Sequence, residues 1–279
     1  MARTRLLLDL LARPNTYRYG ANASQRADLH LPDGPGPHPV VVLIHGGSWA
    51  ATYGKIIMRP VACELARRGW AAWNIEYRRI GRGQGGGWPV TFEDVAAAID
   101  HLALVDDPID IDRVVGLGHS AGGHLALWAA GRYKLPAGAP GSRPVVELTA
   151  VVSQAGVNDL GSAYVQAPAG AVGTLMGGSP ADLPARYAIA DPILAVPLRV
   201  PVLLVHGTDD RTVSVRRSRD YAAAARAAGG TVDVVEIPGE AGEHRKHIDP
   251  GGASFAAVLS WLAAAPSPPL SEAAGRRAP

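Results

Sequence analysis

Val114-Val115-Gly116-Leu117-Gly118-His119-Ser120-Ala121-Gly122-Gly123 sets the reading of this chain. An apolar run ends in Gly118-His119-Ser120-Ala121-Gly122, and a helix-like segment, Gly123 to Arg132, follows. A Gly-x-Ser-x-Gly turn between a strand and a helix is a nucleophile elbow. A serine at the apex of so sharp a turn is held in a strained backbone conformation, and flanking side chains would collide with the strand and the helix. Gly118 and Gly122 remove those collisions. Ser120 then projects alone, and the Ala121 N–H points at a developing oxyanion.

Two other readings compete for the same residues. One is a plain turn. The other is the dinucleotide fingerprint, which Gly116-x-Gly118-x-x-Ala121 also fits. That fingerprint wants an acidic residue about twenty positions on. The chain around Gly141 is a Pro/Gly-rich loop with no acid until Glu147, so the nucleotide reading is set aside.

Composition narrows the classes. A chain of 279 residues with 47% apolar residues can bury a sizeable core. A net charge of +2 points to neither nucleic acid nor an anionic surface as partner. The single cysteine, Cys63, permits no intrachain disulfide. No apolar run is long enough to span a bilayer. Met1 to Arg13 carries Arg3 and Arg5 ahead of an apolar run from Leu6 to Leu11, but Asp9 interrupts the run and no small-residue cleavage site follows. The stretch reads as an amphipathic N-terminal arm, and the expected location is cytoplasmic.

Strand and helix signals alternate along the chain. Arg26 to Leu31 alternates polar and apolar, as an outer strand does. Val40 to Ile44, Ala71 to Ile75, Arg113 to Leu117, Leu148 to Ser153, Val202 to Val205 and Thr231 to Ile237 read as further strands. Helices are expected at Pro60–Arg68, Phe92–Leu104, Ser214–Ala228 and Phe255–Ala264. In the second of these Val95, Ile99 and Leu102 share a face, which leaves Asp94 and Asp100 as solvated carboxylates. The alternation predicts an α/β fold, a mainly parallel central sheet flanked by helices. The expected organisation is an N-terminal arm at 1–25, one domain at 26–265, and a disordered tail at 266–279. Residues 158–200 are irregular and read as a small cap.

A serine hydroxyl needs a base within hydrogen-bond reach, and the base needs an orienting carboxylate. Parallel strands deliver such groups at their C-terminal ends. Asp209 and Asp210 both follow the strand at 202–205, and His244 and His247 both follow the last strand. His119 reads as a packing residue of the elbow rather than the base, and His45 as an organiser of its own loop. No His/Asp/Cys set has metal-ligand spacing, so neither a metal nor a cofactor is expected.

With these pieces in order, the chain resembles the α/β-hydrolases. His45-Gly46-Gly47-Ser48-Trp49 is similar to the His-Gly-Gly-x-Trp of arylformamidases (kynurenine formamidases) and of related bacterial carboxylesterases and feruloyl-esterase-like enzymes. Trp73-Asn74-Ile75-Glu76-Tyr77-Arg78-Arg79 and Gly87-Trp88-Pro89 resemble the same group. The likeness runs from about Arg26 to Leu262 and places the cap after the sixth strand in the superfamily's order. It selects Asp210, because Val213 follows three residues later as in relatives. It selects His244 through the alignment of Ile248-Asp249-Pro250, although Arg245 stands where relatives carry an aromatic residue.

The resemblance implies a Ser120–His244–Asp210 triad and an oxyanion hole from the Gly47, Ser48 and Ala121 amides. Trp49, His119 and Asn158 are expected to bind substrate. The expected reaction is hydrolysis of short-acyl or aryl carboxylic esters, with arylformamidase as the alternative and a non-catalytic ligand-binding scaffold as the third reading. The expected partner is a small-molecule ester or aryl amide, not nucleic acid or membrane, and a homodimer is an allowed assembly.

Overall fold

The computed structural model describes Asp9 and residues 14–264. The rest of the expected amphipathic stretch at 1–13 and the tail expected at 266–279 lie outside the described residues. The described chain is built on an eight-stranded sheet of order β1-β2-β4-β3-β5-β6-β7-β8. Its strands are β1 (Asn15–Arg18), β2 (Arg26–His30), β3 (His38–Ile44), β4 (Ala71–Ile75), β5 (Ile109–His119), β6 (Ala150–Gln154), β7 (Val202–Gly207) and β8 (Val232–Ile237). β3 to β8 are mutually parallel, and β1 and β2 add on antiparallel.

The strand expected to be outermost, at 26–31, is not the edge. β1, inside the stretch expected to be an arm, covers it. β1 is only four residues long and mostly exposed, so it carries no readable period. It is held by its antiparallel ladder with β2, by Thr16 donating to Asp28 at 2.8 Å, and by Tyr17, whose ring lies 5.3 Å from that of Trp73.

Both faces of the parallel strands are covered, and the sequence shows why. Successive residues of a strand point to opposite faces. Val40, Val42 and Ile44 of β3 join one core, and Val41 and Leu43 join the other. Helices α1 (Arg59–Arg67) and α8 (Ala253–Ala264) supply Val61, Leu65, Phe255 and Val258 to one side. Helices α2 (Val90–Asp100), α3 (Ala121–Ala130) and α7 (Arg216–Ala227) supply Phe92, Leu125, Trp128 and Tyr221 to the other. Burying each such side chain stabilises by about 1.5–3 kcal/mol. The centre of the sheet, at β3 and β5, is therefore the firmest mount for a strained turn.

Two carboxylates correct the expectation from α2. Asp94 is buried and accepts from the Arg78 amide, Nε and Nη2 at 2.9, 2.8 and 2.7 Å. Asp100 takes both arms of the buried Arg132 guanidinium, at 3.2 and 2.6 Å, and the amides of Val145 and Val146. Helical spacing placed both on a polar face. Segments remote in sequence then covered that face and brought their own donors.

Between β6 and β7 lie three short helices, α4 (Leu160–Gln166), α5 (Ala171–Met176) and α6 (Pro184–Ala190). Asp159 caps α4 by accepting from the Ser162 amide at 2.7 Å. Buried Asp191 accepts from the Leu160 and Gly161 amides, both at 2.9 Å. Arg217 of α7 reaches across to the Asp159 carbonyl and the side chains of Ser162 and Gln166.

Candidate active site

Ser120 stands between β5 and α3 with φ 56° and ψ −120°. A side chain there pays for its place in backbone strain, as residues at functional sites often do. The flanking glycines have the steric role expected of them. A Cβ on Gly118 would run into the Gly122 carbonyl, and one on Gly122 into the Ile44 carbonyl. The turn is tied to β6 by Ser120 N–H donating to the Gln154 carbonyl at 2.8 Å.

The loop after β3 runs against this turn. A Cβ on Gly46 would sit 2.6 Å from the His119 carbonyl and 3.0 Å from Ser120 Cβ. Gly47, Ser48 and Trp49 follow with φ of 111°, 54° and 55°. The amides of Gly47, Ser48 and Ala121 donate to no acceptor among the described residues. His45 anchors the loop. Its Nδ1 lies 2.8 Å from the Gly46 carbonyl and its Nε2 2.8 Å from Glu76 Oε1. Its ring stacks on Tyr77 at 4.3 Å, and the Tyr77 hydroxyl donates to the His45 carbonyl. Burial pushes the Glu76 carboxyl up, but the His45 bond and charge, Arg79 and the Lys55 amide outweigh it and hold the carboxyl low.

Asp210 lies in the loop after β7, with its side chain buried. His244 Nδ1 donates to Asp210 Oδ2 at 2.7 Å. The Thr212 and Val213 amides donate to Oδ1 at 2.8 and 3.0 Å. Burial works against the charge, yet the His244 bond and these amides keep the carboxyl below its usual range. The rivals are placed otherwise. Asp209 is exposed and takes only Thr208 Oγ1 and the Gly239 amide. His247 is fully buried, with Nδ1 against Ser254 Oγ at 2.7 Å.

The three residues expected to bind substrate are all buried and make contacts within the protein. His119 is buried, and its Nε2 donates to the His244 carbonyl at 2.9 Å. Burial, then the neighbouring imidazole of His244, pushes its own imidazole down to about 3, so it is neutral. Asn158 is buried with both ends of its amide engaged, by Ser153 Oγ at 2.8 Å and Ser218 Oγ at 3.2 Å. Trp49 is buried edge-on against His124 at 5.3 Å.

Other residues had no warning in the sequence. Ser218 bonds His206 Nδ1 at 2.7 Å, and Gln154 bonds both Ser254 Oγ and the His247 carbonyl. These contacts span twelve to a hundred positions, so no local pattern announces them. Four imidazoles, His119, His206, His244 and His247, gather behind the site. Even so, among the described residues no group of three or more His, Cys, Asp or Glu is placed to hold a metal ion. Nor is any described helix long and apolar enough to cross a membrane.

Known proteins are similar to this chain in sequence or in fold. Esterase LipQ of Mycobacterium tuberculosis is 31% identical over 212 residues, 72% of this chain and 49% of that protein. The chain thus spans about half the length of that curated relative. Esterase B from Lactobacillus rhamnosis superposes with a TM-score of 0.74 at 22% identity, covering 94% of this chain and 90% of that one. A truncated carbohydrate esterase from gut microbiota gives 0.73 at 21%, covering 90% and 95%. Likeness at these identities concerns the fold, which is that of the α/β-hydrolases. The BD-FAE family model matches residues 27–224, most of the sheet and its helices, and the chain belongs to the BD-FAE family.

Proposed function

We propose that this chain is a serine hydrolase of short-acyl or aryl carboxylic esters, working through an acyl-enzyme. The observation that carries the reading is the 2.7 Å bond from His244 Nδ1 to Asp210 Oδ2, on a loop bonded to the residue before a strained serine. The 31% identity to a protein named an esterase supports the same reaction class.

The steps follow from the donors and acceptors. An ionised Asp210 only accepts, so the proton of a neutral His244 resides on Nδ1 and Nε2 keeps its lone pair. That lone pair takes the Ser120 proton as Oγ attacks the ester carbonyl. The imidazolium is stabilised by Asp210, while the Gly47, Ser48 and Ala121 amides receive the oxyanion. Loss of one such donor typically raises the barrier by ~3 kcal/mol. His244 then returns its proton to the leaving alkoxide, and water repeats the sequence on the acyl-Ser120 ester. In this reading residues 26–265 act as one hydrolase unit, capped by the segment at about 158–200.

The test is a fluorophosphonate label combined with turnover of nitrophenyl acetate, nitrophenyl butyrate and N-formylkynurenine. The proposal expects labelling at Ser120, loss of label and turnover in Ser120→Ala, and preference for the esters. A formyl-amide preference of orders of magnitude would make the chain an arylformamidase. Failure of Ser120 to take the label would favour a non-catalytic scaffold.

A further inference from the structure

Tyr53 and Arg245 come from opposite sides of this site and meet. Tyr53 belongs to the loop side: a Cβ on Gly47 would stand 2.7 Å from Tyr53 Cβ and Cδ2, so the ring rests on that glycine. Arg79 Nη1 fixes it from behind by donating to the Tyr53 carbonyl at 2.6 Å. Arg245 directly follows His244, and its guanidinium carbon lies 5.9 Å from the centroid of the Tyr53 ring. Both side chains are exposed, Tyr53 by 38%. Among the described residues no carboxylate pairs with Arg245. Its neighbours Glu243 and Lys246 are exposed too, so residues 243–246 present one carboxylate and two cations apart from His244.

A base that returns a proton must lie within hydrogen-bond reach of the leaving oxygen. Arg245 follows His244 directly, so the loop that carries the base also brings a guanidinium beside it. A guanidinium there offers a planar fork that matches a carboxylate. The Tyr53 ring under it holds that fork in place. We propose that Arg245, seated over Tyr53, selects esters whose leaving alcohol bears a carboxylate. The proposal rests on the ester-hydrolase reading above and names the substrate class of that site.

Two acetyl esters that differ only in charge test it, those of 3-hydroxybenzoate and of methyl 3-hydroxybenzoate. The readout is the ratio of kcat/KM, anionic over neutral. Arg245→Leu is expected to lower that ratio at least about fivefold, chiefly through KM for the anionic ester, and Arg245→Lys to keep part of it. Raising salt toward ~0.5 M erodes the wild-type ratio and leaves that of Arg245→Leu in place. A thermal melt of each variant checks folding. The same ratio in wild type and Arg245→Leu overturns the assignment of Arg245 while leaving the esterase reading intact. A wild type that cleaves neither ester overturns the esterase reading, and this proposal with it.

Discussion

His119, the residue before Ser120, donates from Nε2 to the main-chain carbonyl of His244 at 2.9 Å. One side chain thus ties the turn that holds Ser120 to the loop that holds His244. Replacing it with alanine removes one tie on the 244–248 loop, leaving those from Gln154 to the His247 carbonyl and from His247 to Ser254, and takes away a ring 4.6 Å from that of His244. A hydrogen bond of this kind contributes about 1 kcal/mol net. His119→Ala should therefore lower kcat about fivefold with little change in KM, and His119→Gln, which keeps a donor, should recover part of it. An unchanged kcat in the alanine variant would show that the loop is held by other contacts.

The roles of the paired candidates separate by mutation. Asp210→Asn and His244→Ala should each reduce kcat/KM by about 10³-fold or more, because the members of a triad act as a unit. Asp209→Asn should retain near wild-type turnover, since its carboxylate meets only Thr208 and the Gly239 amide. His247→Ala should lower the melting temperature through the lost Ser254 contact. Steady-state kinetics with thermal melts reads all four, and a dead His247→Ala that still folds would move the base to that residue.

Gly47→Ala tests the loop rather than the triad. Its φ of 111° strains any side chain, and the new Cβ would meet Tyr53 at 2.7 Å. Shifting the amides of residues 47 and 48 should cost about 10²-fold in kcat with far-ultraviolet dichroism unchanged. Wild-type kcat in this variant would remove the loop from the oxyanion site.

Acid should weaken the fold from neutrality downward. Burial pushes His30, His124 and His247 down to about 4 and His119 to about 3, from 6.5. With its folded pKa depressed, each contributes stability above about pH 6.5 that is lost as the pH falls toward 4, because the unfolded chain binds the extra proton. Asp191, pushed up to about 6 by burial, acts with the opposite sign and offsets part of one histidine. Between pH 7.5 and pH 5 a single such histidine accounts for about 2 kcal/mol. Urea titrations at those pH values should show the loss, and His124→Gln should shrink the gap by about that amount. An identical gap in the variant would show that His124 titrates normally.

Asp100→Ala would leave the Arg132 guanidinium buried with only the Gly141 carbonyl for company. Removing one partner of such a pair costs about 3 kcal/mol. The urea midpoint should fall accordingly with the slope unchanged. A loss below about 1 kcal/mol would return Asp100 to the class of solvated helix carboxylates.

The amino-acid order alone carried the central strands, the helices and the elbow. β-branched runs, glycine stops and a Gly-x-Ser-x-Gly turn are local patterns, and local sterics enforce them. The expected Ala71–Ile75 strand coincides with β4, and the elbow glycines meet the collisions foreseen for them. β1 escaped notice because four mostly exposed residues have no period, and Asp94 and Asp100 were misjudged because their partners come from other segments.

Which acid and which imidazole meet is a different kind of fact. Asp209 and Asp210 are adjacent, and His244 and His247 are three apart in one short loop, so composition cannot rank them. Only the closing of β7 and β8 onto the sheet turns Asp210 inward to His244 and sends His247 to Ser254. Packing likewise buries Trp49, His119 and Asn158. A side chain's direction depends on every element that crowds it, and those elements are distant in the chain.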